Sequence, residues 1–312
     1  MEAAGVIFER PGSVAVRRLA LHAAGAADVV VETVASGIST GTEKLLFTGA
    51  MPAFPGLAYP LVPGYESIGR VVAAGASSGR SVGSLVFVPG AACYQEAAGL
   101  FGATASRLVV PGPRTVVIPE TLGEEAVLLA LAATAHHAVS RAGGPVDLVV
   151  GHGVLGRLIS RMLLALGRPG PVVWEINPAR RQGAQGYAVT APADDTRTGL
   201  SGVIEASGDA GLIDRIVPRL ARPAEIVLAG FYGPRIDFGF TAAFMRELRL
   251  SIAAEFTPAD VDAVLALIAV GRLSLAGLIT HRATPDKAQT AYRTAFEDAD
   301  CLKMVIDWRT AA

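Results

Sequence analysis

Cysteine is scarce in this chain. Only Cys93 and Cys301 occur among its 312 residues, too few for a disulfide framework or for a four-cysteine zinc lobe. Charge is scarce too. Charged residues make up 18%, the formal net charge is −1, and no long Lys/Arg run is present, so nucleic acid is not expected as a partner. Long apolar runs are also missing. The most apolar stretch, 126–135, is too short to span a bilayer. The segment 1–10 contains acids and no apolar core, so a signal peptide is not expected. These absences together predict a cytoplasmic protein with no membrane span. What is present excludes disorder: 51% of residues are hydrophobic, and the length allows two domains with an ample core.

The most informative stretch begins at Asp147. The run Leu148-Val149-Val150 reads as a buried parallel strand, and Gly151-His152-Gly153-Val154-Leu155-Gly156 follows it. An amphipathic helix is expected over 154–166. A second apolar run, Pro171-Val172-Val173-Trp174, ends in Glu175, and 175 − 156 gives 19 residues, near the roughly 20 of a dinucleotide-binding βαβ unit. Each part has a physical role. Gly151 permits the tight turn, Gly153 has no side chain to block a pyrophosphate, and Gly156 lets the helix approach the strand. The helix N-terminus at Val154 and Leu155 offers N–H groups and a positive dipole end to phosphates. Glu175 can accept hydrogen bonds from the adenosine ribose, which favours NAD over NADP. Arg180 and Arg181, just beyond, temper that preference.

Around this unit the texture divides. The first third has many short strand-like runs, among them 28–34, 67–72, 84–88 and 107–110, split by Gly and Pro, as in a small β-barrel. Helical spacing runs over 124–141. Strand candidates then alternate with helices: 148–150, 172–174, 188–189, 202–205, 225–229 and 248–253, which match a doubly wound sheet. Helices are expected over 258–270 and 285–296, and a last strand over 302–306. The domains are therefore expected at 1–118, completed by part of 256–312, and at 119–255.

The arrangement resembles the medium-chain dehydrogenase/reductase superfamily, a GroES-like β-barrel catalytic domain followed by a Rossmann domain of α/β class. Pro63-Gly64-Tyr65-Glu66 is similar to its P-G-H-E motif. Ser36-Gly37-Ile38-Ser39-Thr40-Gly41-Thr42-Glu43 is similar to its G-x-C-G-T-D motif with one residue extra, and Glu205-Ala206-Ser207-Gly208 also fits. The departures carry more information. Where zinc members have a Cys ligand this chain has Ser39 or Thr40. Where they have a His it has Tyr65, and a third position falls on Ala130. One carboxylate, Glu66, does not hold zinc, so no metal is expected. Proton handling must then lean on Tyr65, Ser39, Thr42 and Glu66, with Thr40 and Glu43 beside them. The resemblance implies coenzyme contacts from Ser207 and Gly230 at the nicotinamide end. His136 and His137, in an apolar helix, are open to two readings, substrate contact or internal hydrogen bonding. So is His152, which either touches the pyrophosphate or lies exposed in the loop. His281 is expected to serve the fold.

Longer segments narrow the resemblance. S-G-I-S-T-G-T-E, M-P-A-F-P-G-L-A-Y-P-L-V-P-G-Y-E-S-I-G-R-V, L-A-A-T-A-H-H-A-V, G-H-G-V-L-G-R-L and C-L-K-M-V-I-D-W resemble the bacteriochlorophyllide a dehydrogenase family of photosynthetic bacteria. That resemblance implies NAD-dependent oxidation of a 3-(1-hydroxyethyl) group to 3-acetyl on a tetrapyrrole substrate, in bacteriochlorophyll a biosynthesis. A flat tetrapyrrole needs a wide apolar cleft. Phe47, Met51, Phe54 and Tyr59 are candidates for one wall or for barrel packing, and Lys44, Arg107 and Arg246 are candidates for its propionates. Two alternatives stay open: a zinc-free NADPH-dependent quinone or enoyl reductase, and a non-catalytic nucleotide-binding redox sensor or assembly partner of pigment enzymes. A homo-oligomer is also left open.

Overall fold

The computed structural model describes residues 1–309, which fall into two compact units, 1–130 with the chain from Ala276 onward, and Leu131–Leu275. The first unit is built from short strands: β1 (Glu2–Phe8), β2 (Val14–Ala20), β3 (Asp28–Ile38), then helix α1 (Thr42–Thr48), β4 (Leu61–Val62), β5 (Ser67–Ala74), β6 (Leu85–Val88), β7 (Ala98–Gly99), β8 (Arg107–Pro111) and β9 (Val116–Val117). β3 is the organiser, because one face of its Val29-Val30-Val31 run is fully buried. It pairs antiparallel with β5 and with β8. A smaller sheet has the order β2-β1-β4-β7.

The second unit is the doubly wound sheet. It holds α2 (Leu129–Arg141, which starts at the boundary), β10 (Leu148–Val150), α3 (Val154–Ala165), β11 (Val172–Trp174), β12 (Ala188–Thr190), β13 (Leu200–Glu205), α4 (Leu212–Ile216), β14 (Leu220–Leu228), α5 (Phe240–Met245), β15 (Leu248–Ile252) and α6 (Pro258–Ala269). The strand order is β12-β11-β10-β13-β14-β15, with every pairing parallel. This is the dinucleotide-binding order, in which the chain reverses direction at its first strand. Helix α3 buries Leu158, Ile159, Met162 and Leu163, the spacing of one apolar face. α6 opens with a full capping box, Thr257 and Asp260 bonding each other's backbone, and Pro258 in its first turn, which satisfies N–H groups a helix start leaves unpaired.

The tail returns to the first unit as β16 (Ile279–Ala283), α7 (Ala288–Glu297) and β17 (Lys303–Asp307), with β17 antiparallel to β3, Met304 opposite Ile38. The unit boundaries lie beyond residues 118 and 255, where composition changes. The segment Glu120–Leu128 is not the start of the expected helix over 124–141. It is a 3-10 stretch broken at Gly123 (φ 53°), and it packs on β3, β5 and β6. α6 belongs to the second unit because Asp260 accepts hydrogen bonds from His136 (2.7 Å) and His137 (3.1 Å) of α2. Both histidines thus make an internal hydrogen bond. Among the described residues no helix is long and apolar enough to cross a membrane.

Candidate active site

β3 ends at Ile38 and delivers Ser39, whose carbonyl accepts the Glu43 N–H (3.1 Å) and so opens α1. The turn Pro63-Gly64 delivers Tyr65 from the other side. Gly64 has φ +99°, and a Cβ there would lie 2.0 Å from Thr104 Oγ1, so only glycine makes this approach. The two segments meet at the Tyr65 hydroxyl. It lies 2.6 Å from Ser39 Oγ and 3.4 Å from Thr42 Oγ1. The Tyr65 ring is fixed edge-on against Phe101 (5.1 Å between centroids), which in turn packs on Phe54. Thr40 lies half-buried between Ser39 and α1. Burial and the nearby Glu66 raise the Tyr65 phenol above its usual 10. At neutral pH it is therefore a neutral hydroxyl that holds or passes a proton, not a standing phenolate.

Two buried acids lie behind this hydroxyl group. Glu43, fully buried, accepts the Ser39 N–H (3.0 Å) and the Tyr292 hydroxyl (2.7 Å). Burial pushes its carboxyl from the usual 4.5 up to about 7, against the lowering effect of those two bonds. Glu66, also fully buried, binds Lys303 Nζ at 2.6 Å, and the same ammonium donates to the Ile38 carbonyl at 3.0 Å. Burial raises the Glu66 carboxyl while Lys303 lowers it. One buried lysine thus grips the residue before Ser39 and the residue after Tyr65. Glu66, expected as a catalytic candidate, has no exposed surface through which to touch a substrate.

The raised Glu43 carboxyl has a consequence for stability. Between pH 4.5 and about 7 the folded protein holds a proton that the unfolded chain has lost, so this group's contribution falls as pH rises through that window and is level above it. Glu43→Gln reproduces the protonated form. Its amide oxygen can accept the Ser39 N–H and its NH₂ can donate to Tyr292. From about pH 4 to pH 8 the variant should gain stability over the native protein by about 3 kcal/mol. Denaturant titrations across that range measure the difference, and parallel pH profiles would contradict the Glu43 assignment.

A zinc ion does not fit here. Ser39, Thr40, Tyr65 and Ala130 offer no thiolate, imidazole or carboxylate, whereas zinc needs three or four such donors. Among the described residues no group of three or more His, Cys, Asp or Glu side chains is placed to hold a metal. The expected propionate anchors are otherwise engaged. Arg107 pairs with Glu32 (2.6 Å), Lys44 donates to the Phe296 carbonyl (3.1 Å), and Arg246 to the Pro218 carbonyl (3.1 Å). Of the expected wall, Met51 is buried in the barrel core. Phe47 packs on Phe8 and Phe296, and Tyr59 donates to the Leu46 carbonyl. Only Phe54 stands in the row behind Tyr65.

In the second unit the glycine turn has the expected form. A Cβ on Gly156 would lie 1.8 Å from the Gly151 carbonyl, while one on Gly153 would meet nothing within 4 Å. α3 has no side-chain cap, so Val154 and Leu155 begin the helix with backbone N–H groups unclaimed, a setting for phosphate. Glu175 follows β11. It accepts the His152 N–H (3.0 Å) and the Asn177 N–H (2.8 Å). Ser207 and Gly208 cap Glu205 at the end of β13, where Tyr232 also donates to that carboxyl, and Gly230 packs against Gly208. His152 is not exposed. It is fully buried, bonded to the Arg180 carbonyl and the Tyr187 hydroxyl. His281 bonds its neighbour Thr280 at the surface of β16.

Residues 25–120 match the alcohol dehydrogenase GroES-like domain. Along its whole length the chain is 51% identical to a 2-desacetyl-2-hydroxyethyl bacteriochlorophyllide A dehydrogenase of Rhodobacter capsulatus and 50% identical to that of Cereibacter sphaeroides, each relative being covered in full. Among solved structures, an Escherichia coli alcohol dehydrogenase complexed with NADH superposes with a TM-score of 0.81 at 21% identity, covering 98% of this chain and 99% of that one. That likeness reaches the fold. Identity of half the residues over both full chains reaches further: the chain belongs to the family of 2-desacetyl-2-hydroxyethyl bacteriochlorophyllide A dehydrogenases.

Proposed function

We propose that this protein oxidises the hydroxyethyl side chain of a bacteriochlorophyllide to an acetyl group with NAD, without zinc. The observation that carries the chemistry is the Tyr65 hydroxyl bonded to Ser39 and Thr42 where related enzymes have metal ligands. The observation that carries the substrate is identity of half the residues to relatives named for it. When bound, the coenzyme supplies the hydride acceptor. Gly151, Gly153, Val154, Leu155 and Gly156 would seat its pyrophosphate, Glu175 with Arg180 its adenosine ribose, and Ser207 and Gly230 its nicotinamide end. Tyr65 holds the substrate hydroxyl. As the C–H bond gives up its hydride to the bound coenzyme, the hydroxyl proton passes to Tyr65, which releases its own to Ser39 or Thr42, and the half-exposed Thr42 hydroxyl hands one on to solvent. Glu66 acts through its neighbours as a positioning residue. Glu175 meets the ribose with a carboxylate, which repels a 2′-phosphate and favours NAD.

Incubation with NAD and a mixed bacteriochlorophyllide extract tests this reading. A new acetyl group conjugates with the macrocycle, so the long-wavelength absorption band should move to the red as NADH appears. An unchanged pigment spectrum, or turnover with NADP alone, would overturn the substrate or the coenzyme respectively.

A further inference from the structure

His152 sits at the second position of the glycine turn, where no side chain is needed for the turn itself. Its ring is fully buried, with Nδ1 2.6 Å from the Arg180 carbonyl and Nε2 2.9 Å from the Tyr187 hydroxyl. A carbonyl can only accept, so Nδ1 carries the proton and Nε2 accepts from Tyr187. Burial lowers the imidazole below its usual 6.5, which keeps this neutral tautomer at physiological pH. Arg157, one turn into α3 and 6% exposed, adds three bonds: to the His152 carbonyl (3.0 Å), the Arg180 carbonyl (3.0 Å) and the Gln182 carbonyl (2.7 Å). The segment 177–183 is thus fastened to the glycine turn.

That segment carries what distinguishes NAD from NADP. Glu175 is oriented by the N–H groups of His152 and Asn177. The Arg181 guanidinium is folded back onto the Glu175 carbonyl (2.8 Å) and the Ile176 carbonyl (3.0 Å). A 2′-phosphate would need a cation free to turn toward it; the fastened backbone keeps Arg181 turned onto its own chain and fixes where Arg180 stands beside Glu175.

We infer that His152, with Arg157 and Tyr187, is a positioning residue that sets coenzyme selectivity by fixing the 177–183 segment against the glycine turn. This rests on the dinucleotide reading of the second unit. His152→Ala removes both ring bonds and should weaken NAD binding about tenfold. NADP binding should stay near its native strength, so the ratio of the NADP to the NAD dissociation constant falls by about tenfold. His152→Asn keeps a donor near the Nδ1 position and should restore most of the native ratio. Tyr187→Phe, which keeps the ring packed edge-on against His152, should give an intermediate ratio. Titrations of NAD and NADP by calorimetry read these constants without turnover. Hydrogen exchange of the 177–183 amides should speed up in His152→Ala and return toward native rates in His152→Asn. If His152→Ala keeps the native ratio while Gly153→Val abolishes binding of both coenzymes, the inference is overturned and the coenzyme reading stands. If the native protein binds neither coenzyme, both fall.

Discussion

Tyr65→Phe should lower kcat on the hydroxyethyl pigment by about 10²–10⁴, the usual cost of losing a proton-transfer group, with NAD affinity within about twofold of native. The substitution is conservative for packing. The ring stays edge-on against Phe101, and the lost hydroxyl leaves the buried Ser39 and the half-buried Thr42 without that partner. The glycine turn proposed to seat the coenzyme includes none of these residues, so its affinity has no direct reason to change. Thr42→Val should also lower turnover, by less, since its oxygen is 3.4 Å from Tyr65 against 2.6 Å for Ser39. Single-turnover kinetics with saturating NAD separate the chemical step from binding. If both variants keep full turnover, the chemistry lies elsewhere even though the family assignment holds.

Lys303→Met should destabilise the protein by about 3–5 kcal/mol, because it strands the Glu66 carboxylate, buried with no exposure, without its ion-pair partner. The Ile38 carbonyl loses its bond to the ammonium as well. A second change, Glu66→Leu, removes the stranded charge, so the double variant should recover most of the loss, as apolar replacements of buried pairs commonly do. Denaturant unfolding of the two single variants and the double variant closes the cycle. A Lys303→Met protein within about 0.5 kcal/mol of native would show that the pair is not a significant support. The double variant should be stable yet slower, since Lys303 ties the strand end before Ser39 to the residue after Tyr65.

How much of this could be read from the sequence depends on how local each feature is. The coenzyme unit is local. Three glycines, an apolar run on each side and an acid 19 residues on define the turn, the helix and Glu175 without reference to the rest of the chain. The hydroxyl group was legible from replacement, because Ser39 and Tyr65 stand where other residue types are expected, while Thr42 is the threonine the motif itself carries. Its supports were not. Lys303 meets Glu66 across 237 residues and Tyr292 meets Glu43 across 249, contacts that depend on how β17 and α7 return to β3. A signal for Lys303 was present all the same, as a lone ammonium in the apolar strand Lys303-Met304-Val305-Ile306, which asks for a buried partner. His152 was misjudged for a different reason. Position in a glycine turn suggests exposure, but Tyr187 and the Arg180 carbonyl supply half-buried partners from a segment about 30 residues later. The helix expected over 124–141 begins only at Leu129, because 124–128, set off by the positive φ of Gly123, is a 3-10 stretch.

On the proposed reading, the hydroxyethyl pigment gives its hydride to NAD while its hydroxyl proton leaves through Tyr65 and its neighbouring hydroxyls, without zinc. The most direct test is turnover by protein of measured metal content, pre-treated with a chelator, on purified hydroxyethyl bacteriochlorophyllide and NAD, with pigment band and NADH absorbance followed together. One NADH formed per acetyl pigment, at a rate unaffected by the chelator and with zinc well below one per chain, is the expected result. Activity that disappears on chelation and returns with added zinc would contradict the account.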